Sequence, residues 1–175
     1  MLAVIDKQNN EYVVQFDRHF SYSIEEVWSV LTENSKLKKW MSNLQIESLK
    51  TDGVIKFDMM DGSFINIDII ECQQNSVLEF TWDKDRVRFE IHKEEDGTLL
   101  LLKEYIHVLT DHTPKDIAGW HICLDLFSAV LKGEEKEFSK DKWQQWFEIY
   151  KGKVFELRGN NVKGYINCVI IISQI

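Results

Sequence analysis

"VLEFTWDKDRVRFEIHK", Val77 to Lys93, decides the fold. Leu78, Phe80 and Trp82 alternate with polar or small neighbours, the polar turn "DKD" follows, and Val87, Phe89 and Ile91 resume the alternation. A period of two is that of a strand with one buried face. A turn this short joins antiparallel neighbours, because a parallel pair needs a long crossover. Arg86, Arg88, Glu90 and His92 then occupy the opposite, wetter face.

The same pattern extends in both directions, from Leu44 to about Thr110. "VIKFDMM" sets Ile55, Phe57 and Met59 on one face and Lys56 and Asp58 on the other, and Asp61-Gly62 is a hairpin turn signal. "SFINIDIIEC" and "TLLLLKEYIHVL" complete a meander of strands, which is expected to twist and curl. Upstream, "EYVVQFDRHF" reads as the first strand, beginning at about Glu11 and ending near Phe20. Ser23 and Glu26 have capping-box spacing ahead of Ile24, Val27, Trp28 and Leu31, which recur at helical intervals. Tyr22 and Val27 stand where a hydrophobic staple would. "KLKKWM" predicts a second short helix with Ser35 as its cap.

After Pro114, the only proline, the helical period returns in Ile117, Trp120, Leu124, Phe127 and Leu131, and Gly133 ends it. "DKWQQWFEIYKGKVFEL" gives a further amphipathic helix through Trp143, Trp146, Phe147, Tyr150, Val154 and Leu157. A helix with an aromatic and aliphatic stripe belongs on the concave face of the curled sheet. The predicted fold is therefore α+β, a helix-grip in which an antiparallel sheet wraps a long helix. Residues 1–157 form one domain on this reading. "RGNNVKGYINCVIIISQI", residues 158–175, is a peripheral tail that begins with a break at Arg158 to Asn161 and whose β-propensity suits a sheet edge or association.

Composition narrows the function. The chain has 175 residues with 44% hydrophobic and 29% charged, the balance of a globular protein. With 21 Lys and Arg against 29 Asp and Glu, its formal charge of −8 argues against nucleic acid as a partner. "KLKK" is the densest basic run and reads as a solvated helix face. Cys72, Cys123 and Cys168 suggest neither a disulfide framework nor a metal knuckle, and Cys123 reads as a buried structural thiol. "MLAVIDKQNN" is not patterned as a signal peptide, and "CVIII", the longest apolar run, is far below the ~20 residues that span a bilayer. A reduced, cytoplasmic setting is expected.

Several stretches together resemble a known family: "RHFSYSIEEVWSVLTENSKLKKWM", "DGSFINIDIIECQQNSVLEFTW", "EEDGTLLLLKEY" and "GWHICLDLFSAVLKG". They are similar, in order, to the arginine-aromatic strand, V-W helix, W-terminated helix, L-x-F-T-W strand, D-G-T turn and G-W helix start of the activator-of-heat-shock-protein-90-ATPase homologues. That group lies in the START/Bet v 1-like (SRPBCC) superfamily. The resemblance runs from about Gln15 to Leu157; "SLKTDGVIKFDM" is poorer in glycine than in many members, and the tail has no counterpart. It implies an apolar cavity between the long helix and the sheet, and no single activity. Members bind lipids, sterols and other hydrophobic ligands, some are cyclases or hydroxylase subunits, and one branch stimulates a chaperone ATPase.

Among candidate site residues, His121 and Asp125 form an i, i+4 pair at the edge of the apolar stripe. They read as a structural rim pair, a polar contact to a ligand, or a fragment of a metal or general-base site. No HExxH, G-x-S-x-G, phosphate-binding or dinucleotide-binding motif accompanies them. Asp58, Asp61 and Asp68 read as solvated strand and turn positions, and Trp28 and Trp40 as core. The predicted ligand-binding residues are Phe57, Phe80, Trp82, Phe89, Trp120, His121, Leu124 and Phe127. No catalytic residue, metal or cofactor is predicted. The leading expectation is a cytoplasmic binding protein for a small hydrophobic molecule, lipid-like or aromatic. A chaperone-modulating interaction module is the alternative, although a first strand starting at about Glu11 leaves no room for the additional N-terminal domain of that branch. An enzyme acting on a hydrophobic substrate comes third. The sequence leaves the oligomeric state open.

Overall fold

A computed structural model describes residues 1–172, with side chains described through residue 159. The chain runs β1 (Val4–Gln8), β2 (Glu11–Phe20), α1 (Ile24–Thr32), α2 (Asn34–Trp40), β3 (Leu44–Ile46), β4 (Val54–Asp58), β5 (Phe64–Gln73), β6 (Val77–Trp82), β7 (Asp85–Glu94), β8 (Gly97–Ile106), α3 (Thr113–Leu131) and α4 (Lys140–Ile172). The strands form a curled antiparallel sheet in the order β1-β2-β8-β7-β6-β5-β4-β3. This is the helix-grip predicted from the periodicities.

Alternation fixes which side of the sheet is which. Along β8 every second residue from Thr98 to Ile106 is buried, while the residues between are half-buried. Leu100, Leu102 and Glu104 therefore share the concave face with Phe16 and Val14 of β2 and with Val87, Phe89 and Ile91 of β7. A register shift between Ile69 and Glu71 puts a bulge in β5, a device that bends a strand. The convex face carries ion pairs instead. Arg86 is held by Glu11 at 2.9 Å and Glu79 at 3.0 Å, and Glu90 by Lys103 at 2.8 Å. Burial opposes ionisation of Glu90, yet hydrogen bonds from Lys103 and Arg88 hold its carboxyl down at about 2.

The capping box forms as predicted: Glu26 N–H donates to Ser23 Oγ, and Ser23 N–H to Glu26 Oε2. Gly133, with φ 70°, closes α3 in the left-handed region open to glycine. Three expectations need correction. A strand, β1, precedes the one expected first; Asn9 takes φ 55° in a two-residue turn, and "VIDKQ" is too exposed to show a buried-face period. Ser35 does not cap α2. The helix starts at Asn34, whose amide exchanges hydrogen bonds of 2.9 and 2.8 Å with the Ile46 backbone and so ties α2 to β3. Finally, α4 passes through the expected break and stays helical to Ile172, since extending a formed helix costs less than starting a new element. Residues 173–175 of the predicted tail lie outside the described residues. Among the described residues no helix is long and apolar enough to cross a membrane.

Candidate functional site

Helix α3 lays its apolar stripe on the concave face, with Ile117, Trp120, Leu124 and Phe127 all buried. Phe127 meets Phe20 at 5.8 Å and Trp40 at 5.2 Å between ring centres. Trp40 touches Phe89 at 6.3 Å, and Phe89 stacks on Phe80 at 6.2 Å and meets Trp120 edge-on at 6.2 Å. Trp120 reaches Trp82 at 5.2 Å, and Trp82 reaches Phe57 at 6.0 Å. Six of the predicted residues thus join one aromatic chain, with Trp40, read from sequence as plain core, as a link. Leu124 is fully buried on the same helix.

An apolar gap of about 10 Å³ lies among Leu31, Leu37, Trp40, Leu78, Phe80 and Phe89. It has room for at most about one water molecule. It sits beneath α1 and α2.

The concave apolar face emerges into solvent at the β4–β5 hairpin. On that face Ile55 and Ile67 are 1% and 6% exposed, whereas Met59 and Ile65 nearer the tip are 44% and 52% exposed. Phe57 pairs with Ile65 across the hairpin and is half-buried, as is Trp82. Phe57, Met59, Ile65 and Trp82 therefore form a lip that the helices leave uncovered.

Beside Trp120, on the inward face of β8, stands Glu104, which the sequence expectations do not include. Its signal was present: Leu100 and Leu102 set the inward phase of "TLLLLKEYIHVL", and Glu104 continues it. The residue is 2% exposed and its Oε2 is buried without a hydrogen-bond partner among the described residues. Burial, then the charges of Asp116 and Asp85, push its carboxyl up to about 8, against a hydrogen bond from the Trp120 side chain. Burial likewise raises Asp116, opposed by His112 at 3.1 Å.

His121 lies elsewhere. It is 2% exposed, stacked on Trp146 at 3.7 Å, with Phe16 edge-on at 5.7 Å. Its Nδ1 is 2.7 Å from the Tyr150 hydroxyl, which also accepts the Ala3 N–H at 3.0 Å. Tyr150 therefore donates to Nδ1, and the rim position expected for His121 with Asp125 gives way to the buried α3–α4 interface. Helical spacing on α3 could not reveal a partner 29 residues away. Burial, then the charge of Arg18, lowers His121 to about 3, so the ring is neutral at ordinary pH. Burial pushes the Cys123 thiol up to about 12, which leaves no thiolate for nucleophilic work. Among the described residues no group of His, Cys, Asp and Glu is placed to hold a metal ion.

No curated protein matches the chain. Among solved structures, a conserved protein of unknown function from Enterococcus faecalis superposes with a TM-score of 0.77 at 26% identity, covering 89% of this chain and 91% of its own. CalU16 from Micromonospora echinospora gives 0.69 at 17% identity, with 88% and 99% covered. DynU16, from the dynemicin biosynthetic locus, gives 0.63 at 16% identity, with 75% and 51% covered. These likenesses place the fold among SRPBCC-like proteins. A sequence model described as activator of Hsp90 ATPase homolog 1-like protein matches residues 21–132, more than half of the chain. With its capped α1, its W-terminated α2 and the G-W pair within α3, the chain belongs to the activator of Hsp90 ATPase homolog 1-like family.

Proposed function

We propose that the protein binds a small hydrophobic molecule, entering at the lip formed by Phe57, Met59, Ile65 and Trp82. The observation that carries this reading is the exposure of the concave apolar face at the β4–β5 hairpin, continuous with the buried aromatic chain. A hairpin tip without function is better served by charge than by Met59 and Ile65 left in water. The gap of about 10 Å³ means that the ligand makes its own room. The hairpin and Trp82 separate from Trp120, and apolar burial of the ligand, at about 25 cal/mol per Å², offsets that opening.

Titration with the uncharged dye Nile red tests the reading. Wild type is expected to bind it with a rise in emission. Phe57→Ala and Ile65→Asp, both at partly exposed positions, should each weaken binding about tenfold or more while unfolding cooperatively. Absence of binding by wild type, or binding unchanged in both variants, sinks the proposal. Family membership supports a second reading, stimulation of a chaperone ATPase. Stimulation of Hsp90 at stoichiometric amounts, by a protein that binds no dye, would put it first.

A further inference from the structure

Resting on that reading, we infer that the ligand is an organic cation, an ammonium carried on an aromatic or alkyl body, whose charge lodges between the Trp82 and Trp120 rings and the Glu104 carboxylate. Glu104 continues an inward row in which Leu100, Leu102 and Ile106 follow Thr98, and its immediate neighbours in that row are apolar, so an apolar residue would fill its place at no electrostatic cost. An unpaired buried carboxyl is expensive, by several kcal/mol in its ionised form. Its Oε2 is buried with no hydrogen-bond partner among the described residues.

The surroundings ask for positive charge. The groups acting on Glu104 are Asp116, from the first turn of α3, and Asp85, from the start of β7. The nearby bases are spent or turned away. His112 holds Asp116 at 3.1 Å, His107 lies 3.2 Å from both Asp85 and Glu11, and Arg86 is on the convex face with Glu11 and Tyr105. Lys84 and Lys115 are exposed. The walls are indoles 5.2 Å apart, the side chains whose faces attract cations best. A metal ion fits poorly, since these carboxylates do not gather into a coordinating group.

The test uses benzyltrimethylammonium and its neutral carbon isostere, neopentylbenzene, each competing with Nile red on the full chain. At pH 9 the cation should bind wild type at least tenfold more tightly than the isostere. Glu104→Gln should abolish that preference while still binding the isostere, which shows the site intact. The quaternary cation cannot titrate, so its affinity should fall about tenfold for each pH unit below about 8, where it must displace the Glu104 proton, while the isostere stays level. Should Glu104→Gln fail to fold, this pH comparison on wild type decides alone. Equal affinities at pH 9, a preference surviving in Glu104→Gln, or tighter cation binding at pH 6 would each overturn the inference. Isostere and dye binding without cation preference leaves the hydrophobic-ligand reading standing; loss of all three sinks both.

Discussion

Glu104 on β8 and His121 on α3 are both buried ionisable residues, and their protons respond to folding with opposite signs. The Glu104 carboxyl is raised from 4.5 to about 8 in the folded chain. Below pH 4.5 both folded and unfolded chains hold the proton. Between there and about 8 only the folded chain does, so its contribution to stability is lost as pH rises through that window, by about 1.4 kcal/mol per unit. His121 is lowered from 6.5 to about 3, so its contribution is present above 6.5 and lost as pH falls toward 3. Removing one group separates the two. Chemical denaturation of wild type and Glu104→Gln should show wild type losing stability relative to the variant between pH 5 and 8, by up to roughly 4 kcal/mol. Parallel stability curves across that range would mean that Glu104 titrates as an ordinary carboxylate.

At the scale of elements, α4 shows how far the sequence could be read. Trp143, Trp146 and Tyr150 advertised an amphipathic helix, and Tyr150 and Val154 are buried as that stripe requires. What the pattern concealed was the partner, because the Tyr150 hydroxyl reaches His121 on α3 and Ala3 ahead of β1. Strand β1 was concealed for a related reason: it packs against β2 with most of its side chains exposed, so no face declares itself. The break expected at Arg158 rested on local propensity, which the preceding helical turns override. Arg158 itself pairs with Asp111 at the surface. Truncation after Gly159 is therefore expected to leave cooperative unfolding intact, with a change in Tm of only a few degrees. Truncation after Gln145, which removes Trp146 and Tyr150, should abolish cooperative unfolding by taking the stacking and hydroxyl partners from His121. Thermal scans followed by circular dichroism distinguish these outcomes, and loss of cooperativity in the longer fragment would show that residues beyond 159 belong to the core.

For the molecule as a whole, alternation and helical spacing were enough to give the grip, because a curled antiparallel sheet has one way to bury an aromatic helix. They also assembled the aromatic chain from Phe57 to Phe127. The state of the interior was not legible: whether Trp82 and Trp120 close on each other or stand apart depends on distances between strands, which no periodicity encodes. Glu104 was legible in phase but passed over, because a lone Glu beside Lys103 in a strand reads as solvated until the parity of its neighbours is counted. Ligand entry at the exposed lip is the central proposal. Its most direct test is the indole N–H spectrum of the protein labelled with ¹⁵N at tryptophan, recorded as Nile red is added. The Trp82 and Trp120 resonances should shift together and saturate with the dye, while those of Trp143 and Trp146 stay in place. Saturable dye binding that moves the α4 tryptophans and leaves Trp82 and Trp120 still would contradict it.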